Sequence, residues 1–184
     1  MAKFRYLAAA ALAAFAVPAV GSVVVVGNSS ARECFEAADS PLQPSVTDLR
    51  TCDRALNEEA LTQRDIVATH VNRGILRLRR GGIDEAIADF DAAIRLDPRQ
   101  PEAYLNKGAA LIRADNPAEA LGLFTVALER NTARPEIAHF GRAIANEDLG
   151  NVRAAYNDYR RASELDPDWD DPRTELARFR VVDN

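Results

Sequence analysis

Lysine is nearly missing from this chain. Only Lys3 and Lys107 occur in 184 residues, and arginine supplies the other 21 basic groups. With the abundance of alanine, this is the usage of a GC-rich genome and points to a bacterial source. The net charge is −5 and no dense basic run occurs, which excludes the positive surface a nucleic-acid partner requires. The two histidines, His70 and His139, lie far apart, whereas a metal site needs its ligands together. No nucleophile and orienting group accompany either at a recognisable spacing. The two cysteines, Cys34 and Cys52, lack the two-residue spacing of redox catalysts. Asp166, Asp168, Asp170 and Asp171 form an acidic cluster without the turn glycine and final glutamate of a Ca²⁺ loop. They read as a helix start. The sequence therefore predicts a protein that is not an enzyme and has no cofactor and no metal.

What is present suits a soluble helical chain: 47% hydrophobic residues and 28% charged residues of mixed sign. Lys3 and Arg5 precede an uncharged run from Leu7 to Gly27, the pattern of a secretory signal. Val17-Pro18-Ala19 and Ser29-Ser30-Ala31 both have the small residues of a cleavage site. A run of about 20 residues also suffices to span a bilayer, so residues 7–27 read either as a cleaved leader or as a retained inner-membrane anchor. Both place the rest of the chain in the periplasm or outside the cell. Arg32 and Glu33, directly before Cys34, argue against lipidation of that cysteine.

The chain repeats itself. Ala86-Ile87-Ala88-Asp89-Phe90 aligns with Ala120-Leu121-Gly122-Leu123-Phe124 and with Ala155-Tyr156-Asn157-Asp158-Tyr159. Each block gains an alanine three residues on (Ala93, Ala127, Ala162), and Gly74, Gly108 and Ala143 each precede a block by 12 residues. The steps are 34 and 35 residues, the extra residue falling in the loop 130–134. Helices are expected at 66–79, 84–96, 101–113, 117–130, 135–148 and 151–164, and a capping helix at 172–181 with Trp169 closing the end. Pro101, Pro117, Pro135 and Pro172 suit first helical turns. Asn116–Glu119 reads as a capping box. Gly81-Gly82 and Gly150 stand where helices should end.

On these residues the chain resembles the tetratricopeptide repeat (TPR) family. The match is strongest through Ala86, Phe90, Ala93 and Pro98 and through Ala155, Tyr159, Ala162 and Pro167, while the middle repeat has Thr132 where proline is usual. Arg73, Lys107 and Arg142 replace the family's leucine, and their long stems are expected to lie on apolar surface with the charge in water. His70 and His139 take the bulky aromatic position and should point into the repeat packing. The basic run Arg77, Arg79, Arg80 reads as a solvated helix end. The resemblance implies an all-α fold, an α-solenoid of antiparallel helix pairs, with small residues letting helices approach and Phe90, Phe124 and Tyr159 filling the spaces. It also implies a concave groove lined by the first helix of each pair. Val71, Asn72, Ile75 and Arg79 would line it, then Leu105, Asn106, Ala109 and Arg113, then Phe140, Ile144 and Glu147. Asn72 and Asn106 would hold a bound backbone, and Val71, Leu105 and Phe140 would take side chains. The carboxylate clamp of chaperone-binding members is not matched, because Val71, Ile75, Ile137 and Gly141 stand at its positions and Asn106 alone agrees.

Residues 31–64 read as a degenerate helix pair, with Cys52 at the register of Phe90. An even cysteine count in an exported chain fits one bridge, Cys34–Cys52. The expected layout is residues 1–30 as leader or anchor, 31–64 as the stapled pair, three repeats (67–100, 101–135, 136–168), and a cap and tail at 169–184. The expected function is a non-catalytic scaffold in the bacterial periplasm or cell envelope, binding a protein or peptide segment in the groove. Its rivals are a membrane-tethered structural subunit of an envelope complex, and an enzyme using the cysteine pair or the histidines. Any membrane contact would run through residues 7–27.

Overall fold

Local chemistry fixes the helix boundaries. The computed structural model describes residues 3–6, 21–25 and 29–182. Most of the expected leader or anchor, residues 7–20 and 26–27, lies outside the described residues. Two helices come first, α1 (Ser30–Asp39) and α2 (Val46–Glu58). Three pairs follow: α3 (Gln63–Arg79) with α4 (Ile83–Leu96), α5 (Pro101–Arg113) with α6 (Pro117–Glu129), and α7 (Pro135–Asp148) with α8 (Val152–Leu165). A short α9 (Asp170–Leu176) packs on α8. Ser29 and Thr62 accept backbone N–H groups at the starts of α1 and α3. Ser45 and Asp48 form a full capping box on α2. At α6 the expected box is half made: Asn116 accepts the Glu119 N–H, but Glu119 returns a side-chain contact to the Asn116 amide. Proline opens α5, α6 and α7, where its missing N–H costs nothing. Chain reversal after α3, α5, α6 and α7 uses left-handed residues: Gly81, Asp115, Asn131 and Gly150. Aspartate and asparagine thus do at two corners what glycine does at the other two.

The spacing of the repeats is a packing requirement. A Cβ on Gly74 would lie 2.5 Å from the Phe90 ring, so α3 and α4 close on each other only because Gly74 has no side chain. Phe124 is held from two sides: a Cβ at Gly108 would be 3.0 Å away and one at Gly141, on the next pair, 2.3 Å. One ring therefore joins α5, α6 and α7. Phe90, Phe124 and Tyr159 are all buried in a single continuous core running through the pairs. The fold is all-α, a solenoid of antiparallel helix pairs.

The two ends differ from the repeats. Cys34 and Cys52, both buried, form a disulfide that joins α1 to α2 (S–S 2.02 Å, Cα–Cα 5.0 Å). At the other end the expected helix 172–181 is corrected: α9 stops at Leu176, and Phe179–Val182 form a strand, β2. The sequence Phe-Arg-Val-Val favours a pleated backbone, and β1 (Lys3–Tyr6) supplies its antiparallel partner, with Lys3 opposite Val182 and Tyr6 opposite Phe179. Trp169 packs against Phe140 with the rings tilted and their centroids 4.7 Å apart, and the Phe179 ring centroid lies 5.9 Å from that of Tyr159. These rings cover the apolar end of the last pair. Among the described residues no helix is long and apolar enough to cross a membrane.

Candidate functional site

Part of the face formed by the first helices, on α3 and α5, is already occupied by polypeptide. Residues Gly21–Val25 have no regular secondary structure and lie across α3 and α5. The Asn72 carboxamide, itself fully buried, makes two bonds to one residue: the Val23 N–H donates to Asn72 Oδ1 (2.8 Å), and Asn72 Nδ2 donates to the Val23 carbonyl (2.9 Å). One amide side chain thereby satisfies both backbone groups of one residue, as a neighbouring strand would. Val25 is buried against Ala31, Ala55 and Ala68. Gly21 has a φ of +90° and sits so close to α5 that a Cβ would meet Glu102 Cγ at 2.8 Å and Leu105 Cδ2 at 3.7 Å. Ser22 Oγ donates to Asp39 (2.7 Å), and Val24 faces out, 55% exposed.

The structure distributes the expected groove residues unevenly. Val71, Ile75 and Leu105 are buried in the common core. Asn106 donates to the Glu102 carbonyl of its own helix (2.8 Å). Arg79 does not line an open surface: it grips the α1–α2 loop through the carbonyls of Ser40 (2.7 Å), Ala38 and Leu42. Arg113 donates to the Leu78 carbonyl (2.9 Å), near the C-terminal end of α3, and burial pulls its pKa down. Phe140 is buried between Tyr159 and Trp169, so the apolar anchor expected there is part of the end cap. The solvated reading of the run at 77–80 holds in part: Arg80 is exposed and bonds the Pro44 carbonyl (2.6 Å), whereas Arg77 bonds the buried Asp89.

A second constellation escaped the sequence reading. Asp89, 2% exposed, accepts from His70 Nδ1 (2.9 Å), from Arg73 through both carboxylate oxygens, and from Arg77 (2.7 Å). Arg73 also reaches Asp53 on α2 (2.7 Å). Two repeats later Asp158 gathers His139 (2.8 Å), Arg142 and Asn146 in the same way. Burial alone would raise both aspartates. The hydrogen bonds from His70 or His139 and from the arginines outweigh it and hold both below the usual carboxylate range. The stems of Arg73 and Arg142 thus carry their charge inward, not into water. The middle repeat has Leu123 at this register, and its Lys107 turns to Asp91 (2.9 Å) and Glu119 (3.3 Å). The legible signal was the shared register: His70, Arg73 and Asp89 recur as His139, Arg142 and Asp158. Each histidine is bonded to an aspartate within its own pair, and among the described residues no cluster of potential ligands could hold a metal ion.

A chain of helix pairs at this period, with a polypeptide laid on the first-helix face, defines a repeat scaffold. The family profile described as tetratricopeptide repeat matches residues 71–136 and 110–172, and the chain belongs to that family. It is 29% identical over 148 residues to a tetratricopeptide repeat protein 36 homolog of Drosophila pseudoobscura pseudoobscura, covering 75% of this chain and 79% of that protein. It is 30% identical over 114 residues to a DnaJ homolog subfamily C member 7 homolog of Schizosaccharomyces pombe, covering 60% of this chain but 24% of that one. Among solved structures, the first TPR of Spaghetti (RPAP3) bound to an HSP90 peptide superposes with a TM-score of 0.58 at 26% identity, over 61% of this chain and 89% of that one. MamA from Desulfovibrio magneticus RS-1 gives 0.62 at 19% identity over 83% and 84%, a likeness of fold.

Proposed function

We propose that this protein is a non-catalytic adaptor that binds an extended segment of a partner protein on the face of α3 and α5, in the periplasm or cell envelope of a bacterium. The observation that carries the reading is the paired bond between Asn72 and Val23, in which a side chain of α3 holds the backbone of the chain's own residues 21–25. The similar RPAP3 domain is bound to a peptide, which supports the same use of the fold. The identity of that peptide does not transfer, because Val71 and Ile75 on α3 offer no cation for a terminal carboxylate. Export is supported by the charged start before the apolar run and by the disulfide, which suits an oxidising compartment. Of the two cleavage sites, the one ending at Ala19 is favoured; that cut removes Lys3–Tyr6, so its pairing with Phe179–Val182 belongs to the uncut chain. Ser29 caps α1 and Ala31 is buried in its first turn, so a cut after Ala31 would remove the cap and Val25 together.

The test is a partner recovered from envelope extracts and titrated against the full chain bearing Val25→Asp, so that residues 21–25, which Asn72 also holds, do not compete for the face. Asn72→Ala should weaken binding by about 0.5–1.5 kcal/mol, while Arg95→Ala on the exposed outer side of α4 should leave it unchanged. Equal affinities would place the interface elsewhere. Sequencing the mature amino terminus separates the free adaptor, beginning at Val20, from a membrane-tethered subunit that keeps residues 7–27.

A further inference from the structure

We infer that residues Gly21–Val25 are an intrachain occupant of the partner site, and that the site selects extended segments with glycine followed at two-residue intervals by β-branched apolar side chains. The inference rests on the partner-binding reading above and deepens it. Gly21 lies against α5, Val23 packs on both buried clusters and Val25 is buried, while Val24 is exposed and Ser22, partly buried, turns to Asp39. Each inward position has its own reason. At the first, the approach to Glu102 and the positive φ both require glycine. At the second, the Val23 side chain lies between the main core and the smaller cluster, while Asn72 reads its backbone. At the third, Val25 is buried against the small side chains of Ala31, Ala55 and Ala68. The outward positions make little demand, because Val24 is half exposed and Ser22 touches Asp39.

An occupant on the same chain competes at the effective concentration of a tethered segment, in the millimolar range for a short connection. A partner segment of the same pattern must displace it, so the resting groove is closed to weak binders. Expelling residues 21–25 opens it.

The experiment uses the full chain and a labelled synthetic peptide of residues 20–27, with a control peptide bearing aspartate at the positions of Val23 and Val25. Val25→Asp places a charge against those alanines and should expel the segment. Gly21→Val, whose Cβ would collide with Glu102, opens the same site without touching them, and it serves if the first variant unfolds. The expected result is peptide binding at least roughly tenfold tighter to either opened chain than to the parent. Adding Asn72→Ala should take that gain away, and the control peptide should not bind. A random displayed peptide library is selected on the same opened chain. If the library yields peptides that Asn72→Ala weakens but that lack the pattern, or if parent and opened chains bind the 20–27 peptide equally, the inference is overturned and the peptide-binding reading stands. If neither the library nor the peptide binds any of the chains, both fall.

Discussion

At the scale of single residues, Asp89 and Asp158 show how this fold uses charge. Each is nearly sealed from water, and each is surrounded by a histidine and at least one arginine from the facing helix. A buried ion pair is costly to form, but removing one member leaves the others desolvated and unpaired, at about 3–5 kcal/mol. Asp89→Ala should lose stability on that scale in urea denaturation, while substitution of the exposed Asp168 should cost less than about 0.5 kcal/mol. The same groups set the acid limit. Both folded-state pKa values are depressed, so the ionised carboxylates favour the fold. Their contribution is fully present above the unfolded-state value, near pH 4, and is lost as pH falls through the folded values. The melting temperature should therefore hold from pH 5 upward and drop below about pH 4, and Asp158→Asn should shrink the drop. These residues were hidden from the sequence reading because Asp89 and Asp158 sit in blocks read for their alanines and aromatics. The middle repeat, with Leu123 at that register, masked the pattern.

At the scale of elements, contacts between helices depend on whether a glycine faces a ring or water. Gly141→Ala would drive a methyl group into Phe124 and should cost about 1–3 kcal/mol by overpacking. Gly122→Ala, on α6 with open space around it, should instead gain roughly 0.5–1 kcal/mol. Paired denaturation curves for the two variants check the register of the solenoid, since a shifted register would not give opposite signs. The first helix pair has a different support. Reducing Cys34–Cys52, whose positions are 18 apart, frees a loop worth roughly 3 kcal/mol in the chain-entropy account. Reduced protein should thus lose α1 and α2 at lower urea than the oxidised form, followed by amide exchange in those helices. The six helices of the three repeats were legible because proline, glycine and the 34-residue period all mark their ends. The strand Phe179–Val182 was not, because four residues at a chain end carry too little pattern and its partner, Lys3–Tyr6, lies about 175 residues away.

At the scale of the whole molecule, the chain is a scaffold whose first-helix face is held in part, on α3 and α5, by its own N-terminal residues. Hydropathy could not reveal this: a Val-rich stretch after an apolar run reads as leader, and nothing local tells that Asn72, some fifty residues on, will accept it. The sequence singled out Asn72 for a bound partner's backbone, and in the structure it bonds the chain's own Val23. Sequence alone could not show that Arg79, Arg113 and Phe140 are engaged in loop, helix-end and cap contacts, because those partners are set by the superhelix. The claim that this face binds extended polypeptide is tested most directly by the amide hydrogen exchange rate of Val23 in the full oxidised chain, measured by NMR beside Asn72→Ala. The account predicts that Val23 exchanges far more slowly than an unstructured amide. It also predicts that Asn72→Ala speeds Val23 by about tenfold, some 1.4 kcal/mol, while the amides of α6 keep their protection. Exchange of Val23 at the unstructured rate in the parent chain would contradict it.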